Sequence, residues 1–216
     1  MPDIEVVYAD DALVVLNKPA DLLSVPGRGE DKQDCLSRRV QERYPNACVV
    51  HRLDMATSGL LLMARSAAVQ RQLNAAFAAR TVHKRYEAVV TGRLEPEADA
   101  SDAEGWQRIN LPICVDWPNR PRRIIDPIHG KPSQTRWRVL ELTDQTTRLA
   151  LEPVTGRSHQ LRVHLQAIGH PILGDALYAP AAVAAQTSRL LLHASSLSLL
   201  HPLSGEPLHL VSPAPF

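Results

Sequence analysis

Short apolar runs, each stopped by a turn residue before it can extend, are the strongest constraint on what this chain can fold into. Residues 4–8 and 13–17 are β-branched and apolar, and Ala9-Asp10-Asp11 between them predicts a hairpin. Lys18-Pro19 ends the second strand, and Ser24-Val25-Pro26-Gly27-Arg28-Gly29 reads as a loop. Residues 48–50 form a strand that leads into a turn over residues 51–59, and residues 60–64 leave the turn as a buried strand. Residues 85–91 read as a strand ended by Gly92. Residues 107–152 are strand-rich, with Pro112, Pro118, Pro121, Pro127 and Pro132 marking turns and edges. Residues 190–200 and 207–211 add strands at the end.

Helical spacing breaks this pattern in three places. Val69, Leu73, Ala76 and Phe77 fall at i, i+4, i+7 and i+8, and Ser66 stands where a cap belongs, which predicts a helix over 66–80. Residues 36–44 predict a short helix. A third, over 158–168, puts Leu161, Leu165 and Ile168 on an inner stripe and aligns His159, Arg162 and Gln166 on another face. Residues 95–105 read as a flexible acidic loop, the one place that resembles a domain boundary. The expectation is a single α+β domain over residues 1–216, with a mostly antiparallel mixed sheet flanked by helices and loops.

A chain of 216 residues buries a sizeable core without disulfide or metal staples. Its cysteines, Cys35, Cys48 and Cys114, are odd in number and contain no CxxC pair. Neither a zinc knuckle nor a disulfide framework is supported, and a reducing compartment is expected. Met1-Pro2-Asp3-Ile4-Glu5 has no basic, then apolar, secretion pattern, and no apolar run has membrane-spanning length. The cytoplasm is the expected location.

The net charge of +1 hides an uneven distribution. Arg52, Arg65, Arg71, Arg80, Lys84 and Arg85 face a single acid, Asp54, between residues 51 and 85. Arg120, Arg122, Arg123, Lys131, Arg136 and Arg138 face Asp126 between residues 117 and 138. Such tracts fit a face for a polyanion, or cations spread over a surface. Asp54 follows a strand and precedes Thr57-Ser58-Gly59, and beside Arg52 and His51 it is expected in its ionised form. An ionised carboxylate serves as nucleophile or charge stabiliser. By spacing alone, however, Asp54 reads as a turn former capping Thr57 and Ser58.

The motifs around it change the balance. His51-Arg52-Leu53-Asp54, continuing to Thr57-Ser58-Gly59-Leu60, resembles the catalytic motif of the RluA-type RNA pseudouridine synthases. Lys84-Arg85-Tyr86-Glu87-Ala88 is similar to that family's lysine–tyrosine strand. Gly156-Arg157-Ser158-His159-Gln160-Leu161-Arg162, with Gly174-Asp175 and Tyr178, is similar to its arginine-bearing helix and loop, and Leu192-His193-Ala194 to its closing strand. Four ordered motifs across the whole chain make the resemblance specific. Residues 116–121 and 130–135 resemble the subgroup that modifies both 23S rRNA and tRNA, and the early first strand implies no S4-like domain before the catalytic one.

The resemblance implies the family's catalytic fold and an isomerase of rRNA and tRNA uridines that needs no metal or redox cofactor. It implies Asp54 as the essential carboxylate, Tyr86 as the residue that stacks on uracil and acts late as a base, and Arg162 as the partner of the Asp54 carboxylate. It also implies that Arg52 fills the place of a flipped uridine. Arg120, Arg122, Arg123 and Lys131 would grip the RNA backbone, with Lys84 and Arg157 also meeting RNA. Trp117 is a candidate to stack on a base, or a buried core residue. No membrane or obligate protein partner is implied. Three rivals are weaker. His159 and His164, five apart, face different sides of a helix rather than one metal. A plain RNA-binding module gives no reason for Asp54 to sit in a basic tract. A glycosidase needs a second carboxylate, and Asp175 beside Gly174 reads as structural.

Overall fold

The hairpin forms where expected: β1 (Glu5–Ala9) pairs antiparallel with β2 (Leu13–Lys18). Asp10 closes it, its Oδ1 accepting the amides of Ala12 and Leu13 at 2.8 Å each. The structure, a computed structural model, describes residues 4–97 and 101–216. It divides into two compact units, one made of Met1–Lys84 with His193–Phe216 and the other of Arg85–Leu192.

In the first unit β4 (Ser58–Ala64) is the hub, buried at every residue. It pairs antiparallel with β2 and with the short β3 (Cys48–Val49), and parallel with β11 (Leu192–Leu200), which pairs in turn with β12 (Pro207–Val211). Full burial explains why β4 reads as an unbroken apolar run rather than an alternating one. The helix α1 (Leu36–Arg43) precedes β3, and α2 (Ala67–Ala78) packs on β4 and β3. Ser66 caps α2 as expected, its hydroxyl accepting the Val69 amide at 3.2 Å. Val69 and Leu73 enter a core with Leu13, Val15, Leu60, Leu62 and Leu197. The helix stops short of residue 80, where Arg80 turns left-handed at φ 60° and the Thr81 amide bonds back to Ala76 O.

The second unit carries an antiparallel sheet in the order β5 (His83–Thr91), β10 (Thr146–Pro153), β9 (Gln134–Leu142) and β6 (Gln107–Asn110), the chain entering this unit within β5. A separate ribbon pairs β7 (Ile113–Val115) with β8 (Arg123–Ile125). The helix α3 (Gln160–Ala167) packs on β8, β9 and β10, and the short α4 (Ala181–Ala184) follows. The expected start of α3 at Ser158 moves because His159 is left-handed, φ 59°, and its Nδ1 meets the Tyr178 hydroxyl at 2.6 Å.

Within the expected flexible acidic segment, Ala98, Asp99 and Ala100 lie outside the described residues. Its far end is fastened rather than loose. Asp102 pairs with Arg136 at 2.7 Å and accepts the Trp106 amide at 3.0 Å. Trp106 is 1% exposed, with the Arg136 and Arg138 guanidiniums 4.9 and 5.1 Å from its ring centroid. Among the described residues no helix is long and apolar enough to cross a membrane.

Candidate active site

Asp54 lies half-buried on the turn between β3 and β4, and the turn is built largely from distant residues. Its closure uses main chain: the Thr57 amide donates to Asp54 O at 3.1 Å. On the N-terminal side, Ser24 grips Leu53 at both ends. Its hydroxyl donates to Leu53 O at 2.7 Å and accepts the Leu53 amide at 3.1 Å. On the C-terminal side, the Lys18 ammonium donates to Met55 O at 2.9 Å, and also to Pro19 O and Leu22 O at 2.7 and 2.8 Å. Lys18 is fully buried and Ser24 is 5% exposed, so these bonds do not compete with water. The two residues flanking Asp54 are therefore held from one segment, residues 18–24.

His51 and Gly59 anchor the two ends. His51 Nε2 accepts the Leu62 amide at 3.0 Å, and its ring packs 4.9 Å from Phe77. Burial, with the Lys84 ammonium nearby, pushes the His51 pKa down to about 3. The imidazole is neutral at physiological pH. This corrects the expectation that His51 adds positive charge beside Asp54; in that pair only Arg52, which is exposed, is a cation. Gly59 sits at φ 109°, and a side chain there would collide with the backbone of Ala194 on β11. Only glycine lets the strands approach so closely. Ser58 Oγ meets His193 Nδ1 at 2.8 Å, tying the motif to the closing strand.

Tyr86 is half-buried on β5, opposite Leu151 of β10, on the strand face shared with the buried Ala88 and Val90. Lys84 is partly buried, its ammonium 5.7 Å from the Phe77 ring centroid, and burial lowers its pKa. Arg85, next to it, pairs with Glu152 at 2.9 Å.

Arg162 is not an exposed helix arginine: it is 4% exposed. Its Nε and Nη2 form a two-pronged pair with Asp175, at 2.8 and 2.6 Å. The Asp175 side chain is completely buried and its Oδ1 also accepts the amides of Leu177 and Tyr178 at 3.0 and 3.1 Å. Two donors from a rigid fork fix both the position and the plane of the guanidinium. Asp175 is structural, as its turn suggested, and its task is to hold Arg162. His164, on the same helix, is fully buried between Thr135 Oγ1 and Leu111 O, each at 2.9 Å, while His159 is engaged with Tyr178.

The basic tract divides. Arg122 is exposed, but its Nε donates to Leu177 O at 2.8 Å. Arg120 lies 3.6 Å over the ring of Trp117, which is 67% exposed and so not a core residue. Arg123 and Lys131 line one cavity with Arg157, which comes from the loop before α3. Sequence reasoning missed Lys18, Ser24 and the Arg162–Asp175 pairing. The available signals were slight: a lysine and a serine placed at a strand end and in a loop, and an acid after a glycine.

Residues 12–167 match the family described as RNA pseudouridylate synthase. The chain is 47% identical over 216 residues to the dual-specificity RNA pseudouridine synthase RluA of Escherichia coli strain K12, covering all of this chain and 95% of that protein. It is 46% identical over 212 residues to the protein of the same name in Yersinia pestis, covering 98% and 99%. The solved structure of human RNA pseudouridylate synthase domain containing 1 superposes with a TM-score of 0.79 at 30% identity, covering 99% of this chain and 84% of that one. The α+β expectation is met, and the substrate is RNA. The chain belongs to the RluA-type RNA pseudouridine synthases, isomerases that convert uridine in RNA to pseudouridine.

Proposed function

We propose that this enzyme modifies uridines in both 23S rRNA and a tRNA anticodon stem-loop, with Asp54 as the essential carboxylate and Tyr86 and Arg162 as its catalytic partners in one domain spanning the chain. The observation that carries the assignment of Asp54 is the turn itself, whose backbone is fastened at Leu53 by Ser24 and at Met55 by Lys18. A carboxylate on so rigid a mount keeps one geometry against a substrate that must be moved to reach it. In the reaction the N1–C1′ bond breaks, the base turns, and a C5–C1′ bond forms. The proton lost from C5 is balanced by one gained at N1, and Tyr86 is the base for that late loss. Arg162, its guanidinium plane set by Asp175, takes the role of the cationic partner that aims the Asp54 carboxylate.

The dual specificity is supported by the full-length likeness to relatives named dual-specificity enzymes and by residues 116–121 and 130–135. It implies a cytoplasmic protein. Pseudouridine mapping of 23S rRNA and tRNA from cells lacking and then regaining the protein tests it. A modification should vanish and return in each class of RNA; return in one class alone overturns the dual reading.

Arg52 is the residue to occupy the place of the flipped uridine, while Lys84, Arg120, Arg122, Arg123, Lys131 and Arg157 meet the RNA backbone. An Arg52→Ala variant should flip a fluorescent base analogue at the target position far less than the wild type. Unchanged flipping would remove Arg52 from that role.

A further inference from the structure

Arg39, Arg136, Arg148 and Arg162 are each neutralised by a carboxylate. One cavity of the second unit, about 760 Å³, is different. Arg123, Lys131 and Arg157 line it, and among the described residues none of the three has a carboxylate within ion-pair distance. The two acids on the wall are already committed. Asp116 Oδ1 accepts the Asn119 backbone and side-chain amides at 3.3 and 3.1 Å. Asp126 Oδ1 accepts the amides of Ile128 and His129 at 2.8 and 3.0 Å, bonds that hold its carboxyl below the usual range. These acids brace loops and leave the cations unneutralised.

The remaining wall has an apolar and aromatic side, Ile113, Val115 and Ile124 beside Trp117, and also carries His129 and Ser158. Arg120 covers one face of the Trp117 ring, yet the residue remains 67% exposed. Unneutralised cations favour phosphate, and an exposed indole with an apolar wall favours a planar base. The volume lies within the range of roughly 300–1,000 Å³ typical of small-ligand sites. Unpaired loop nucleotides are commonly read this way, splayed out and stacked.

We propose that this cavity is a second nucleotide subsite. It takes an unpaired nucleotide of the substrate RNA other than the uridine that is isomerised, its base against Trp117 and its phosphates on Arg123, Lys131 and Arg157. The wall offers binding groups and no uncommitted carboxylate, which is why the reacting uridine is not its occupant. The inference rests on RNA being the substrate, and its test reads binding separately from turnover.

The experiment measures Kd for the full chain with a synthetic RNA stem-loop. It is repeated with RNAs in which each loop nucleotide in turn, the target uridine included, is made abasic with its phosphates kept. Trp117→Ala should weaken binding to intact RNA roughly tenfold, about 1.4 kcal/mol. That penalty should disappear on one abasic RNA, and not on the one abasic at the target. A paired Lys131→Ala/Arg157→Ala variant should lower the slope of log Kd against log salt by about 1.4, the value for two phosphate contacts to a single strand. Because Trp117 is exposed, its variant should unfold at the wild-type temperature. The subsite is overturned by an unaltered Kd, by a penalty equal on every abasic RNA, by one that disappears at the target position, or by an unaltered salt slope. Failure to form pseudouridine in any RNA would count against the catalytic reading alone, since Kd is read without turnover.

Discussion

An Asp54→Asn variant is expected to fold and to bind RNA, yet to form pseudouridine slower by on the order of 10⁴-fold or more, the scale seen when a principal catalytic group is removed. The substitution is nearly isosteric; it removes charge and nucleophilicity and turns one acceptor oxygen into an amide donor. The main-chain closure from the Thr57 amide to Asp54 O, and the hold of Ser24 on Leu53 and of Lys18 on Met55, do not involve the substituted atoms. Loss of activity with unchanged unfolding temperature and RNA affinity is therefore the informative result. It is read by single-turnover assay of pseudouridine in a synthetic stem-loop. Retained pseudouridine formation would rule out Asp54 as the essential carboxylate.

The largest effect on stability is expected from Asp175→Ala. Arg162 and Asp175 have side-chain exposures of 5% and 0%, so removing the acid takes the forked partner from a buried guanidinium and the acceptor from two backbone amides. Breaking a buried pair by deleting one partner costs about 3–5 kcal/mol. For a chain of this size that lowers the unfolding temperature by roughly 6–20 °C. Replacing both partners, as in Arg162→Met/Asp175→Ala, should recover part of the loss, because no buried charge is then left without its forked pairing. Thermal unfolding of the two single variants and the double variant measures the coupling. A single Asp175→Ala variant within 1 kcal/mol of wild type would show that the pair does not hold the helix and loop together.

Local features were legible in the sequence because short-range chemistry decides them. The Ser66 cap, the hairpin closed by Asp10 and the buried run of β4 each follow from residues within a few positions of one another. The boundaries moved where a single residue took an unexpected conformation, as at Arg80 and His159, both left-handed without being glycine. The flexible reading of the acidic segment failed at its far end for another reason. Asp102 finds its partner, Arg136, 34 residues away, and no local pattern announces such a pair.

The motif around Asp54 divides along the same line. The sequence by itself determined the order of the motifs and the turn that presents Asp54, whereas the need for glycine at position 59 comes from the close approach of Ala194 on β11. It also determined the family, because residue identities in order are what resemblance compares. Tertiary structure alone decided how the turn is held. Ser24 reaches Leu53 across 29 positions and Lys18 reaches Met55 across 37, each through a single buried polar group. It alone decided that His51 is neutral, since that depends on burial and on an amide from the next strand. It made Arg162 a buried, forked partner of Asp175 and left Trp117 in the open, two outcomes that helix spacing and composition cannot separate. The physical reason is common to all of these. Burial and long-range hydrogen bonding set the charge, aim and rigidity of a side chain, and both exist only once distant segments have been brought together.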